Sequence, residues 1–414
     1  MADQTFDTII VGAGIVGSAL AAFLSKDNEH ESILLIDRSF HALSGSTGSA
    51  PGLVGQLNVS QTLTTLAQES VQEYASMAGA FKKVGCLELA SSDAGLSEQQ
   101  ERLAMATDRG MKASIVDHDE SAKLLPPIVK KDSFRQALYF PDDGLADPGV
   151  ITHAYRSQAK SRGVQFEEAD VVEIKQSGDA VTGVVTADGR SFQARQIVVA
   201  SGIWTTSLLL ETIQKQIPLV PVAHPYVYSS ARDSRHIDYP FVRWPERLVY
   251  ARDHGERDGF GTYDHPPLAV DNPGASAVSD WQGSGFDTAV SKALKECFSS
   301  GFGSAETDLS SDSLELKLQE KISGIFTLTP DNLPVVGAIG PEGLWIAAAI
   351  WVTTAAGCAK FLTKLLKGED VDDHMKSALD PGRFGSSVPV EELKKQALKT
   401  YNHIYGADES GGGS

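Results

Sequence analysis

Thr5-Phe6-Asp7-Thr8-Ile9-Ile10-Val11-Gly12-Ala13-Gly14-Ile15-Val16-Gly17 is the stretch that decides the fold. Its β-branched apolar run predicts a buried strand. The run breaks into glycines spaced G-x-G-x-x-G, and residues 18–25 continue with Ala and Leu at helical spacing. A second apolar strand, 32–37 (SILLID), ends in Asp37, twenty residues beyond Gly17. This is the pattern of a dinucleotide-binding βαβ unit. Gly12 allows a tight turn, Gly14 lets backbone N–H groups approach a pyrophosphate, and Gly17 lets helix and strand pack closely. The helix N-terminus offers partial positive charge to phosphates, and Asp37 can accept hydrogen bonds from ribose hydroxyls. The bland alternative is a glycine-rich turn without a ligand.

Outward from this unit, residues 38–65 are rich in Ser, Gly and Thr and predict loop, and 63–80 a helix. Residues 96–125 predict amphipathic helix around Leu96, Leu103, Met105 and Met111. A further helix is expected at 148–161, opening on Pro148 where a missing N–H costs least. Short strands are expected at 164–166, 171–174, 181–186 and 191–200, with Asp188-Gly189 as a turn. Residues 217–264 look strand-rich and 270–320 irregular and polar. A buried strand is expected at 344–350 and a helix at 354–366, with Lys360, Lys364 and Lys367 outward. An amphipathic helix is expected at 390–405, and the tail 408–414 (DESGGGS) is expected to be disordered.

Composition narrows the function classes. The 414 residues suit two or three domains, and 42% hydrophobic with 22% charged residues excludes a disordered or collagen-like chain. A formal net charge of −18 argues against nucleic acid or an anionic membrane as main partner. Cys86, Cys297 and Cys358 are scattered, which suggests a reduced compartment with neither a disulfide framework nor a zinc site. No apolar run reaches the roughly 20 residues a membrane span needs. The expectation is a soluble, cytoplasmic protein, with the oligomeric state left open. No histidine and carboxylate set has metal-ligand spacing, so no metal is expected.

The choice between FAD and NAD rests on further segments. A fingerprint at the extreme N-terminus, extended by Ala21 and Leu24, is typical of FAD proteins of the glutathione-reductase type. Residues 197–204 (IVVASGIW) match the V-V-x-A-x-G-x-W strand of such proteins, and 329–337 (TPDNLPVVG) their T-P-D-x-x-P-x-x-G turn. With 46–53 (STGSAPGL), 219–226 (LVPVAHPY), 250–255 (YARDHG), 261–263 (GTY) and 343–357 (GLWIAAAIWVTTAAG), the chain resembles the D-amino-acid oxidase superfamily. In particular it resembles the flavin half of dimethylglycine oxidase and of the dimethylglycine and sarcosine dehydrogenases.

The resemblance implies an α/β fold, a Rossmann-like FAD-binding domain interleaved with an α+β, antiparallel-sheet substrate domain. The FAD-binding part would comprise 1–80, 145–210 and 322–389, and the substrate part 81–144 and 211–321, followed by a C-terminal helix at 390–407. Relatives continue past that point into a folate-binding domain, and no such domain is expected within these residues. The implied cofactor contacts are Gly12, Gly14, Ile15, Val16, Gly17, Asp37, Arg38, Ser46, Thr47, Ser49, Ala50, Pro51, Gly52, Leu53, Val171, Ser201, Gly202, Trp204, Trp351, Val352 and Thr353. Where relatives carry the histidine associated with covalent flavin, this chain has Ser49, so FAD is expected to be non-covalent. The relatives' W-V-T-H turn reads Trp351-Val352-Thr353-Thr354 here, so a second histidine is missing.

The implied chemistry is removal of a hydride from a carbon next to an amine nitrogen, which requires a neutral amine. A histidine with a tunable pKa and a tyrosine to orient it suit that work. His224 and Tyr250 stand where the resemblance places such a pair; a hydrogen-bonded core histidine and a packed tyrosine are the plain alternatives. His265 is a further candidate, while His254 in its D-H-G turn reads as structural. His30, His118, His374 and His403 lie in polar, surface-like sequence. Arg243 or Arg252 suits a substrate carboxylate, and Thr354 stands at the substrate side. Trp204 and Trp351 are expected over the isoalloxazine or in the core. The activity expected is oxidation of a small N-methylated amine or amino acid to an iminium, hydrolysed to aldehyde and dealkylated amine. The electron acceptor would be O2, giving H2O2, or another carrier. Oxidation of a primary or cyclic amino acid to a stable imine, and a non-catalytic flavin-binding subunit, are the alternatives.

Overall fold

The computed structural model describes residues 4–26, 31–299, 320–385 and 387–404. The opening strand, Gln4–Val11, lies at the centre of an eight-stranded sheet. Ile33–Asp37 and Ser191–Val199 flank it in parallel, and Leu344–Ala348 runs parallel to Ser191–Val199. Ile9, Ile10, Leu35 and Val198 are fully buried because both faces of this parallel core are covered. On one face the helix Ile15–Leu24 packs between Pro148–Ser161 and Ala355–Leu366. Its neighbours approach closely because Ala and Gly line the seam. A Cβ on Gly357 would lie 2.4 Å from the Leu66 carbonyl oxygen of the helix Gln61–Ala75.

A second, ten-stranded and mainly antiparallel sheet contains Val220–Tyr228, paired on one side with Glu320–Leu328 and on the other with Asp258–Thr262. Val249–Asp253 and Phe241–Trp244 follow, and Phe241–Trp244 pairs in parallel with Cys86–Ala90. A three-stranded sheet of Leu53–Val54, Gly144–Ala146 and Phe81–Lys82 is built where the chain passes between the two. The chain enters each large sheet more than once.

Several expectations are corrected. The 96–125 region is not one helix. Asp93–Asp108 is helical, but the chain breaks at Gly110, forms the strand Ser114–Asp117, and restarts as a short helix, His118–Leu124, capped by the Asp117 side chain. The 38–65 loop holds a helical turn, Ser46–Ser49, and the strand Leu53–Val54. The 270–320 region contains the amphipathic helix Gly283–Cys297; 300–319 lie outside the described residues, as do His30 and the 408–414 tail. The C-terminal helix ends at Lys399 and tightens into a 3-10 turn, Thr400–His403. Lys360 is half-buried and pairs with Glu73 at 2.6 Å. A boundary at 322 falls inside the strand Glu320–Leu328, which hydrogen-bonds along its length to Val220–Tyr228. Cys86, Cys297 and Cys358 are buried free thiols, and burial pushes Cys297 and Cys358 up to about 12.

Candidate active site

A cavity of about 2140 Å³ runs from the carboxyl ends of the parallel strands to the face of the antiparallel sheet. In open α/β sheets that crevice is where ligands sit. Every residue proposed for the cofactor lines it except Gly17, which acts from behind. A Cβ on Gly17 would lie 1.8 Å from the Gly12 carbonyl oxygen, so only glycine lets the helix start so near the turn. Gly12 has φ +105°, and a Cβ there would lie 2.4 Å from the Ala200 carbonyl oxygen. Gly14 differs: a Cβ there would meet only Thr47 Oγ1, at 3.0 Å, and that same oxygen accepts from the Ile15 amide at the helix start at 3.1 Å.

Asp37 closes this end. One carboxylate oxygen accepts from the Ala13 amide at 2.6 Å and the other from Ser39 at 3.0 Å, with lone pairs remaining on each. The Ala13 carbonyl is turned away, accepting from Ser18 Oγ and from Arg156, whose Nη1 also donates to the Phe40 carbonyl at 2.8 Å. Arg156 is a cavity residue that the sequence reading missed, since nothing in its helix marks it from other surface arginines. Trp204 sits where the two sheets meet: the Arg38 guanidinium stacks 3.9 Å from its ring, its indole N–H donates to the Gly274 carbonyl, and it packs against the cluster of Ile203, Ala277 and Ile325.

The Ser46–Ser49 turn is fastened across the two sheets by Ser46 Oγ donating to the Ile325 carbonyl at 2.7 Å. Ser49 lies against Gly324, where even a Cβ would make only an ordinary contact with it, 3.5 Å from Ser49 Oγ. Gly52 has φ +72° and packs on the Ala146 carbonyl. Arg252 is a correction. It does not line the cavity; it donates to the Pro51 carbonyl at 2.6 Å and to Asp253, and so buttresses the loop from behind. Opposite, Tyr74 holds the Val352 carbonyl at 2.7 Å, Thr353 reaches Leu53, and Trp351 packs edge-on against Phe326. Thr354 lines the cavity, and its hydroxyl donates to the Trp351 carbonyl at 3.4 Å.

Across the antiparallel sheet, strand register places Glu88, Arg243, Tyr250 and Gly261 in one row. Side chains directly opposite share a face, so Arg243 and Tyr250 both face the cavity. A Cβ on Gly261 would lie 2.3 Å from the Tyr250 hydroxyl. Glycine at that position lets the ring cross the strand and reach His224, whose Nε2 is 2.8 Å from Tyr250 Oη. His224 Nδ1 meets Tyr401 Oη at 2.7 Å, and Tyr401 meets His265 Nε2 at 2.8 Å. His224 is 7% exposed, and burial, with His265 nearby, holds it neutral well below the usual histidine range. His254 is bonded to Tyr226 at 2.7 Å and burial lowers it to about 3. Of the remaining histidines, His118 is half-buried, and His374 and His403 are exposed, His403 at the cavity rim.

Beside Arg243 lies a buried charge cluster. Arg102 grips Glu88 through two bonds at 2.7 and 2.9 Å, and Arg243 meets the same carboxylate at 3.2 Å. The paired guanidiniums keep Glu88 low despite its burial. Asp143 is pushed up to about 7 by burial and by Glu88. Arg102 and Arg243 share this end of the cavity with Glu88 and Asp143, and both guanidinium side chains reach the cavity wall. Among the described residues, no group of three or more His, Cys, Asp or Glu side chains could hold a metal ion.

Residues 7–365 match the family described as DAO, FAD dependent oxidoreductase. The chain belongs to this family of FAD-dependent oxidoreductases. It is 27% identical over 429 residues to mitochondrial dimethylglycine dehydrogenase of Mus musculus, covering 97% of this chain and 47% of the relative. It is 29% identical over 264 residues to the formaldehyde-forming 4-methylaminobutanoate oxidase of Paenarthrobacter nicotinovorans, covering 62% of this chain and 31% of the relative. The chain thus spans about half the length, or less, of these relatives. Its fold is similar to the crystal structure of L-proline dehydrogenase from P. horikoshii, with TM-score 0.76, 21% identity, and coverage of 92% of this chain and 98% of that one. As a member of this family, the chain is an FAD-dependent oxidoreductase. Its cavity fits the cofactor: the glycine turn at Gly12 and Gly14, the start of the Ile15–Leu24 helix and Asp37 all line it at the carboxyl ends of the parallel strands. No helix among the described residues is long and apolar enough to cross a membrane.

Proposed function

We propose that this protein oxidises a small N-methylated amino acid or a related secondary or tertiary amine at its C–N bond. The product is an iminium, which water hydrolyses to formaldehyde and the demethylated amine. The observation that carries the reading is the Tyr250 hydroxyl bonded to a buried His224, with Arg243 across the strand pair on the same face. FAD, when bound, supplies the hydride acceptor and, with O2 as terminal acceptor, the route to H2O2. It would be held by Gly12, Gly14, Asp37 and the 46–53 loop, without a covalent bond, since Ser49 offers no imidazole.

The residues of the chain do the rest. Arg243 is placed to hold a substrate carboxylate and so aim the amine at Tyr250. The phenol oxygen of Tyr250 accepts the amine proton while its own proton passes to His224 Nε2, leaving the amine neutral with its lone pair available. Burial keeps His224 neutral beforehand, so its Nε2 is available to accept the Tyr250 hydrogen bond. The names of the relatives, a dimethylglycine dehydrogenase and a 4-methylaminobutanoate oxidase, support an N-methyl substrate.

The test is an anaerobic flavin-bleaching screen with N-methylglycine, N,N-dimethylglycine, 4-methylaminobutanoate, proline and primary amino acids, with formaldehyde assayed afterwards. Bleaching confined to the N-methyl compounds, with formaldehyde, is the expected result. Bleaching by proline or primary amino acids alone would point to imine formation instead, and no bleaching by any amine to a non-catalytic role.

A further inference from the structure

The His224–Tyr250 pair is the cavity end of a longer chain of hydrogen bonds: Tyr250, His224, Tyr401, His265 and the Pro266 carbonyl, at successive spacings of 2.8, 2.7, 2.8 and 2.8 Å. We infer that Tyr401 and His265 are positioning residues that set which way the Tyr250 hydroxyl donates. They thereby decide whether the cavity meets a phenol oxygen that accepts or a phenol proton that donates. The inference rests on the proposed amine chemistry for its purpose, though not for its geometry.

The direction follows from what each atom can do. A carbonyl oxygen only accepts, so His265 Nδ1 carries the proton that faces Pro266. Neutral His265 then has a bare Nε2, to which Tyr401 must donate. The Tyr401 oxygen is left to accept, so His224 carries its proton on Nδ1. His224 Nε2 is bare and takes the Tyr250 proton. The Tyr250 oxygen, which lines the cavity, is thereby set to accept there from an amine N–H. Had His224 been protonated on Nε2, it would donate to Tyr250, and the Tyr250 proton would bind the amine lone pair that must expel the hydride.

The chain is enclosed. Tyr401 is fully buried, and His224, Tyr250 and His265 are each under a tenth exposed. Tyr263 covers the His224 ring at 4.3 Å, and Phe286 of the Gly283–Cys297 helix lies edge-on to His265. The titratable groups facing the chain from neighbouring elements are Tyr226 and Tyr263, Arg243 across from Tyr250, and Asp264, which Lys292 holds at 2.6 Å. His403 follows Tyr401 on the same turn. The C-terminal turn is itself pinned. Asn402 donates to the His265 carbonyl at 3.0 Å, and Thr400 Oγ1 donates to Asn332 at 2.8 Å. Protonation of His265 on Nε2 would reverse every donor in the series and turn the Tyr250 proton to the cavity.

The test uses holoenzyme labelled with 15N-histidine and long-range proton–nitrogen correlation to read the His224 tautomer, with anaerobic flavin reduction by N,N-dimethylglycine as a second readout. Wild type is expected to carry the His224 proton on Nδ1. Tyr401→Phe, which removes the acceptor for that proton, should move it to Nε2, keep its FAD, and slow reduction roughly 10- to 100-fold, the loss typical of removing the partner that orients a histidine. The ionisation in the pH profile of reduction should shift as well. His265→Leu, which frees Tyr401 to donate back to His224, should give the same tautomer if Tyr401→Phe does not fold. An Nε2-protonated His224 in wild type would overturn the inference. So would wild-type rate and pH profile in Tyr401→Phe while His224→Ala is slow. Failure of every amine to reduce the flavin would instead remove the proposed function and leave the tautomer result to decide the geometry.

Discussion

Ser49 occupies the loop position where a histidine would tether the flavin, and a hydroxyl has no comparable nucleophilic nitrogen. Acid precipitation of the yellow protein should therefore release FAD into the supernatant; flavin in the pellet would contradict this. Gly14 separates cofactor binding from folding. A Cβ there would lie 3.0 Å from Thr47 Oγ1, a side-chain atom that must shift by a few tenths of an ångström, so Gly14→Val should still fold, with a melting point somewhat below that of wild-type apoprotein. The valine would occupy the pyrophosphate approach, and the protein should be colourless. Stoichiometric FAD in Gly14→Val would mean the glycine turn is not the cofactor site. At neighbouring Gly12 the same experiment cannot separate the two effects, because φ +105° and the Ala200 carbonyl forbid a side chain outright.

At the scale of elements, the strand Asp258–Thr262 matters chiefly for what it omits. Gly261→Ala would place a methyl 2.3 Å from the Tyr250 hydroxyl and push the ring off His224. Flavin reduction should slow by about 10²-fold or more, the range for losing a positioned acid–base group, while the FAD spectrum stays intact. An unchanged rate, read by anaerobic mixing, would show that the Tyr250–His224 bond is dispensable. Elements also show what the sequence could and could not reveal. The βαβ unit was legible because its signals are local: a β-branched run, glycines at fixed spacing, and an acid at the end of the next strand. The 96–125 region was misread because apolar periodicity continues across Gly110, where tertiary pairing with Gln136–Phe140 draws residues 114–117 into a strand. Tyr401 was out of reach for a different reason. It is 177 residues from His224, and no local pattern distinguishes it from an aromatic that merely packs a helix end. Arg252 failed in the opposite way: its motif placed it near the loop, but its side-chain direction was decided by its bond to Pro51.

For the whole molecule, the buried histidines make stability depend on pH. His224, His254 and His265 are all lowered by burial, His254 to about 3. Once unfolded they bind protons near the ordinary histidine value, about 6.5, so the unfolded state gains protons first as pH falls. Stability should therefore decline between pH 6.5 and the folded values. Asp143 acts in the other direction: raised to about 7, it favours the fold below the ordinary carboxylate range and loses that contribution as pH rises toward 7. Three histidines against one aspartate predict a net loss on acidification. His254→Gln, measured with FAD in excess, should flatten the fall in melting temperature between pH 6.5 and 4.5; an unchanged fall would mean His254 does not contribute.

The central claim is that His224 and Tyr250 prepare an amine for hydride loss at the junction of the two sheets. The most direct measurement is the rate of anaerobic flavin reduction by an N-methylated amino acid in wild type and in His224→Ala, across pH. The account predicts an intact FAD spectrum, reduction slowed about 10²–10⁴-fold, one ionisation lost or displaced in the profile, and reoxidation by O2 little changed. A His224→Ala protein that reduces at the wild-type rate with an unchanged profile would contradict it and leave His224 as a packing residue.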